Sequence, residues 1–442
     1  MATEYDLEET ISLPDNIYEK VIDDYYIIVA VKNPNWLILN QEEYRMFLCL
    51  KEGLTIRETL ENYYTNYCQD EDRCLALMTS LLGQINDVNF SGMAEILPEQ
   101  PISSITKKVH IGTTNGCNMH CKHCYMAAGT APLETIDLQK TIQLVSELHK
   151  IYGELEIVVS GGEPLTYKGI ETLLKAIKDN HIILFTNGSL ISEKNIDLLS
   201  ECCDEIQISF EGVSREYYSQ IRGAQNYDKA LHAIELLKAH NKRIVLAVTM
   251  LPSTLNDIRD NLIEFVRRLD YSNLEVRISD EIEMSGNALL MDMSTQDERA
   301  SKEILIRLVR DLEKVGCVVQ SSDIRNTRFT NCGIGTTILI NYDGMIYPCH
   351  KLSDYALKIG TDARDIIAEF NRINEVTSNV NIPKCYGCEL QYICSGGCRI
   401  DNLLKNGDMN HVICDDKYKE GQYRRLLNDY KMYKENIEEF NE

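Results

Sequence analysis

Ten of the sixteen cysteines in this 442-residue chain fall into two arrays whose spacing could hold a metal cofactor. The first is Cys117-Asn-Met-His-Cys121-Lys-His-Cys124, a CxxxCxxC loop that follows the turn Gly112-Thr-Thr-Asn-Gly116. Three thiolates on one short loop can hold three irons of a 4Fe–4S cube, leaving the fourth iron without a protein ligand from this loop. A structural zinc site more naturally takes four tetrahedral ligands grouped as two CxxC-type pairs. The second array is Cys332, then Gly344-Met-Ile-Tyr-Pro-Cys349, Cys385-Tyr-Gly-Cys388, Cys394, Cys398 and Cys414. Its CxxC pair alone leaves a zinc ribbon open. A glycine-rich stretch stands between the arrays. Ser160-Gly161-Gly162-Glu163-Pro164 ends the run Leu155–Ser160, which reads as a buried strand.

The CxxxCxxC loop and the GGEP stretch together resemble the radical S-adenosylmethionine (SAM) superfamily. The resemblance implies that Cys117, Cys121 and Cys124 hold a 4Fe–4S cluster and that SAM chelates its open iron. It also implies that Gly161, Gly162, Glu163 and Pro164 line the SAM methionine group. Two further turns follow candidate strands, Thr186-Asn187-Gly188 and Ser209-Phe-Glu211-Gly212. The latter is similar to the family's S-x-D-G, with glutamate for aspartate, which makes Ser209 a contact to the SAM ribose. Asn187 joins the cofactor site on the same ground. Arg222 stands where the family places a SAM-contacting arginine, and its planar fork suits a carboxylate. The plainer readings are a generic turn at Asn187-Gly188 and a solvated helix residue at Arg222. Arg277 and the turn Ser285-Gly286-Asn287-Ala288 reach towards the same pocket without a specific signature.

The second array resembles the seven-cysteine SPASM extension: C, a spacer, GxxxxC, CxxCxxxxxCxxxC and a final C. The resemblance assigns Cys385, Cys388, Cys394 and Cys414 to one auxiliary 4Fe–4S cluster and Cys332, Cys349 and Cys398 to a second. That makes three cubes in all. The family's fully ligated form has another cysteine shortly before Cys332, but residues 324–331 contain none. The second cluster is therefore expected to leave an iron open to a substrate thiolate, as in enzymes that join a peptide cysteine to carbon. His350 stands where sulfatase-maturing relatives carry a catalytic aspartate. Imidazole can take a proton near neutral pH, so His350 is the candidate base; support of the adjacent cluster is the alternative.

The elements that must position these residues follow from periodicity. Between about Thr106 and Ile324, β-rich runs alternate with helical stretches, which argues for βα units on a parallel sheet. Candidate strands are Val109–Ile111, Ile157–Ser160, Ile182–Thr186, Glu205–Phe210, Ile244–Met250 and Leu274–Ser279. Six strands match a partial (β/α)6 barrel, where chemistry gathers at the C-terminal strand ends. The fold class is thus α/β, with a radical SAM barrel at 98–325 and a SPASM domain at 326–442. Cys202, Cys203 and Cys317 read as core or structural residues.

Residues 1–97 read as a third domain. Tyr25–Val31, the turn Lys32-Asn-Pro-Asn35 and Trp36–Leu39 form a hairpin. Asn40 caps a helix from Gln41 to Lys51, and Thr55 with Glu58 opens a second through about Tyr67. A third spans Asp72 to Ile85, with Leu75, Met78, Leu81 and Leu82 on one face. This winged-helix pattern resembles the leader-peptide recognition element of ribosomal peptide modification pathways. The resemblance implies that a leader adds a strand to the sheet edge and packs on the third helix. A dimerisation or purely structural domain is the alternative, and Trp36 and Cys49 are expected in its core.

The formal net charge of −23 argues against a general nucleic-acid binder. No apolar run approaches a membrane span. The acidic start of the chain lacks a signal-peptide pattern, and cysteine-rich chains without an export signal use thiols for metal or redox chemistry. A cytoplasmic location is expected. The resemblances together imply a radical SAM/SPASM maturase using SAM, three 4Fe–4S clusters and an electron donor such as flavodoxin or ferredoxin. Its expected substrate is a precursor peptide with a leader, and its expected product a cysteine thioether. Carbon–carbon crosslinking or another oxidative maturation is the alternative, with sulfatase-type maturation further behind. A zinc-binding regulator is the reading outside enzymes.

Overall fold

The computed structural model describes residues 5–92, 95–97, 107–280, 282, 284–293, 298–319, 327–351 and 356–438. Both expected domain boundaries fall at segments outside the described residues. The chain forms two compact units.

The first unit combines residues 1–101, 323–334 and 373–442. Its sheet runs β1 (Ile17–Ile22), β2 (Tyr25–Ala30), β3 (Trp36–Leu39), all antiparallel. The hairpin between Tyr25 and Leu39 agrees with the sequence reading. The preceding strand β1 was not anticipated; it joins β2 through a two-residue turn in which Asp23 adopts φ +52°. Helices α1 (Gln41–Lys51), α2 (Ile56–Asn66) and α3 (Glu71–Asp87) follow. Asn40 and Thr55 each close a reciprocal capping box, with Glu43 and Glu58.

On α3 the buried stripe is Cys74, Met78, Leu81, Leu82 and Ile85. Leu75, expected on that stripe, is instead 50 % exposed. The buried stripe follows the 3.6-residue period through Cys74, one position earlier. Cys49 is only half-buried, with its thiol 3.9 Å from Asn62 Oδ1, so it is not a core residue.

Both faces of this sheet are covered. Ile28, Ala30, Leu37 and Leu39 pack with Met46, Phe47, Met78, Leu81 and Phe90. On the other face Ile22, Ile27, Val29 and Ile38 pack with Leu390, Ile393, Tyr423, Leu426 and Leu427 from the chain's far end, and Trp36 lies against this cluster half-buried. Double burial explains why β2 and β3 read as unbroken apolar runs instead of alternating ones.

The second unit, residues 102–322 and 335–372, carries strands β4 (Lys108–Gly112), β5 (Glu156–Ser160), β6 (His181–Thr186), β7 (Glu205–Ser209), β8 (Arg243–Thr249) and β9 (Leu274–Ser279). They pair in sequence order and in parallel, joined by helices. All six match the expected strands to within a residue or two. The sheet also extends beyond them. β10 (Val318–Val319) joins one edge, and β11 (Thr337–Ile340), β12 (Met345–Tyr347) and β13 (Leu357–Lys358) continue past β4 at the other.

Alternation along each strand divides the sheet. Val109, Ile111, Ile157, Val159, Ile182, Leu184, Ile206, Ile208, Val276 and Ile278 enter the core shared with the helices. That core also holds Cys202, Cys203 and Cys317, as expected. The opposite positions, His110, Ser160, Phe185, Gln207, Ser209, Ala247 and Arg277, line the other, more polar face.

Candidate functional site

The loop after β4 is built against the loop after β5. Thr113 N–H donates to Ser160 O (2.8 Å), Gly162 N–H to Thr114 O (2.7 Å) and Glu163 N–H to Gly116 O (2.9 Å). The glycines allow this approach. A β-carbon on Gly162 would lie 2.3 Å from Gly116 O, and one on Gly161, where φ is +144°, 2.7 Å from Thr114 O. Asn115 then closes the base of the cysteine loop, donating to Pro132 O (2.8 Å) and accepting from Glu134 N–H (2.9 Å).

Glu163 is fully buried, and its carboxylate is committed to the protein. It accepts from Thr186 Oγ1 (2.8 Å), Asn187 N–H (2.8 Å) and Leu165 N–H (3.1 Å). Burial raises its pKa against those three donors. Asn187 is likewise engaged, donating to Asn118 Oδ1 (2.9 Å) with its amide nitrogen 4.0 Å from Cys117 Sγ. Both side chains therefore bracket neighbouring loops.

Among the three thiols, Cys117 accepts from Met119 N–H (3.4 Å) and Cys124 from Ala128 N–H (3.5 Å). Burial pushes the Cys121 thiol up to about 11, with the Arg222 charge pulling the other way. Arg222 is buried, and its fork pairs bidentately with Glu211, Nη2 to Oε1 at 2.7 Å and Nε to Oε2. The fork's partner is the residue that stands for aspartate in the S-x-D-G-like turn, eleven residues away; its pairing with Arg222 was not anticipated. His123 Nε2 lies 3.3 Å from the same carboxylate. Burial alone would raise the pKa of Glu211, but Arg222 and His123 outweigh it and hold it well below the usual carboxylate range. The other ring nitrogen, His123 Nδ1, is buried without a partner among the described residues.

The turn Ser285–Asn287 clamps the cysteine loop from the far side. Asn287 N–H donates to Cys124 O (2.9 Å), its amide to Cys121 O (3.1 Å), and Ser285 Oγ to Tyr125 O (2.9 Å). Beside it opens a cavity of about 570 Å³ bordered by Cys121, Ile221, Pro252, Ser253, Asn287 and Met291. Ser209 ends β7 on the polar face, half-buried, its hydroxyl unpartnered among the described residues. Arg277 sits level with it through the register Ser209–Ala247–Arg277 and is exposed.

On the same face His110 meets His350, with ring centroids 4.8 Å apart at 64°. His110 Nε2 bonds Ser160 Oγ. Burial, helped by His350, pushes the pKa of His110 down to about 3, so the ring is neutral. Sequence reading missed His110. Its one signal was a polar residue between the core positions Val109 and Ile111.

In the first unit, Cys385, Cys388, Cys394 and Cys414 all border one small cavity of about 10 Å³. Cys332 and Cys398 lie close enough that the Cys332 pKa is held down to about 6 and that of Cys398 is raised. Cys349 lies in the second unit. Among the described residues no group of three or more His, Cys, Asp or Glu converges on a single-ion position. A cube is gripped at separate irons, one sulfur each, and thiolates are its preferred donors. The four-cysteine cavity and the Cys117–Cys124 loop, with its orphaned His123 nitrogen, fit such groups in donor chemistry.

Residues 111–266 match the model of the radical SAM superfamily. Residues 111–266 thus form a radical SAM domain within a mixed α/β fold. Among similar proteins, a probable GTP 3′,8-cyclase of Archaeoglobus fulgidus is 22 % identical over 55 % of this chain and 86 % of its own length. The sporulation killing factor maturation protein SkfB of Bacillus subtilis is 26 % identical over 33 % of this chain and 36 % of its own. Among solved structures, Streptococcus suis SuiB bound to SAM aligns with a TM-score of 0.52 and 15 % identity, covering 92 % of this chain and 99 % of that one. SuiB has also been solved with its precursor peptide SuiA. No helix among the described residues is long and apolar enough to cross a membrane.

Proposed function

We propose that this protein is a SPASM-type maturase that modifies a leader-bearing ribosomal peptide by forming a cysteine thioether. The observation that carries the reading is the set of four cysteines around one cavity in the first unit, in a chain that also holds a radical SAM domain. Relatives in the comparison include a maturation protein and a structure bound to a precursor peptide, which supports a peptide substrate. Cys117, Cys121 and Cys124 would hold the cluster that SAM chelates, and that pair would supply radical hydrogen abstraction. Cys385, Cys388, Cys394 and Cys414 would hold one auxiliary cube, and Cys332, Cys349 and Cys398 the other.

The chain's own residues divide the remaining work. Gly161 and Gly162 let the cysteine loop sit against the β5 loop, Glu163 and Asn187 fix its third side, and the Ser285–Asn287 turn its fourth. Ser209 and Arg277 offer polar groups on the face where the peptide would lie. His350, packed at 64° to neutral His110, would take a proton during the reaction. The winged-helix reading of residues 1–97 is supported by β3, whose outer edge is unpaired among the described residues, and by exposed Tyr67 and Leu75 on the neighbouring helical layer. Those features suit a leader that adds a strand and packs on α3.

The test is anaerobic incubation of the reconstituted enzyme with SAM, reductant and a cysteine-bearing precursor. The expected product has lost two hydrogens, and the crosslink blocks alkylation of one cysteine. A precursor with serine for cysteine should give 5′-deoxyadenosine without a crosslink. Loss of two hydrogens from that serine precursor would overturn the thioether reading in favour of carbon–carbon bond formation.

A further inference from the structure

Among the described residues, Arg399 is the largest side chain buried to completion. Its guanidinium is held only by carbonyl oxygens. Nε donates to Thr377 O (2.8 Å), Nη1 to Gly397 O (2.7 Å) and Nη2 to Ser395 O (2.7 Å). Among the described residues no carboxylate forms an ion pair with it. A buried cation without a counter-charge is strongly disfavoured, so such groups are normally paired.

The groups around Arg399 that could carry negative charge are sulfurs. A β-carbon placed on Gly396 would lie 3.1 Å from Arg399 Nη1 and 3.2 Å from Cys385 Sγ, so the two are about 6 Å apart at most. Arg399 is also among the groups that hold the Cys332 thiol below its ordinary pKa. Thiolates at Cys332, Cys385, Cys394 and Cys398 lie near enough to favour the Arg399 cation against the cost of its burial. These cysteines come from both auxiliary sets, and Arg399 directly follows Cys398.

We infer that Arg399 is a fixed cation shared by the two auxiliary cysteine sets and raises the reduction potential of the clusters they hold. The inference rests on the functional reading above. An added electron beside a fixed positive charge is stabilised by Coulomb attraction, and the low-dielectric interior strengthens the effect. Local charge and hydrogen bonding are among the levers that set cluster potentials. The three carbonyl bonds keep the guanidinium from turning away, so the charge is delivered at a fixed place.

The experiment is a redox titration, read by electron paramagnetic resonance, of the full-length reconstituted protein. The Cys117, Cys121 and Cys124→Ala background leaves only auxiliary signals. At the potential that half-reduces these clusters, Arg399→Gln should lower the reduced-to-oxidised ratio at least tenfold, about 59 mV for a one-electron couple. Arg399→Lys, which keeps the charge with fewer bonds, should stay within threefold of the parent. Full iron with an unchanged ratio in Arg399→Gln would overturn this inference alone. If Arg399→Gln fails to load iron, Arg399→Lys decides: a parent-like ratio supports the charge, and a tenfold drop overturns it. Parent protein that holds no auxiliary iron would overturn the functional reading and this inference with it.

Discussion

Gly162→Ala tests how the cysteine loop is positioned. The Gly162 backbone lies outside the left-handed region, so alanine meets no torsional penalty there. The obstacle is contact: its methyl would sit 2.3 Å from Gly116 O, 2.9 Å from Gly116 C and 3.0 Å from the Ala128 β-carbon. Two of those atoms are backbone next to Cys117 and cannot rotate aside. Reaching van der Waals distance requires a shift of roughly 1 Å in the loop. Overpacking of this kind costs about 1–3 kcal/mol, and misplacement by 1 Å can cost about 100-fold in rate. The variant should therefore fold and keep about eight auxiliary irons, yet lose most of the remaining four and cleave SAM at least about 100-fold more slowly. Iron and sulfide analysis with chromatography of 5′-deoxyadenosine reads both. Gly83→Ala is the control, since a β-carbon there meets nothing within 4 Å in the interior of α3; it should stabilise by about 1 kcal/mol. Wild-type iron and cleavage in Gly162→Ala would refute the reasoning.

Three other perturbations have definite signs. His110 takes a proton more readily unfolded, at its ordinary 6.5, than folded, at about 3, so its stabilising share is complete above pH 6.5 and drains as pH falls. By pH 5 the loss is about 2 kcal/mol, and His110→Asn should flatten the denaturation profile between pH 6.5 and 5. Glu211→Gln should destabilise by about 3–5 kcal/mol at pH 7 because it strands the buried Arg222 charge; a urea midpoint equal to wild type would contradict the pair. Leu75→Asp, on an exposed helix face, should leave SAM cleavage intact but weaken precursor binding about tenfold by fluorescence anisotropy, worth about 1.4 kcal/mol. Unchanged affinity would remove α3 from the recognition reading.

How much of this was legible beforehand varied with the physics of each element. The six barrel strands were readable because each is a short apolar run between turn and helix signals. Strand β1 was not, since Ile-Tyr-Glu-Lys-Val-Ile interrupts its apolar pattern with Glu19 and Lys20. Glu19 is held instead by Tyr44 (2.6 Å) and Lys51 (2.5 Å). Misplacing Leu75 came from reading the α3 stripe one residue late, where a cysteine served as the apolar member. The cysteine sets were visible as spacing, but their electrostatic setting was not. Neither the Glu211–Arg222 pair nor the isolation of Arg399 leaves a periodic trace, because both depend on contacts made by the folded chain. The GGEP stretch ends its strand where expected, while the bonds of its glutamate to Thr186 and Asn187 show only in the folded chain.

The sheet β1–β3 has one face sealed by residues from Leu390 to Leu427, which gives the chain an order of assembly. A ribosome adds roughly 5–20 residues per second, so Ile38 waits on the order of 20–70 seconds before its partner Leu390 exists. During that interval Ile22, Ile27, Val29 and Ile38 form an apolar strand surface without its cover, the kind of exposed patch that invites aggregation. The barrel strands pair with immediate neighbours in sequence and need not wait. The first hundred residues are therefore among the last to finish folding, and a nonsense mutation near position 400 would damage the start of the protein as well as its end.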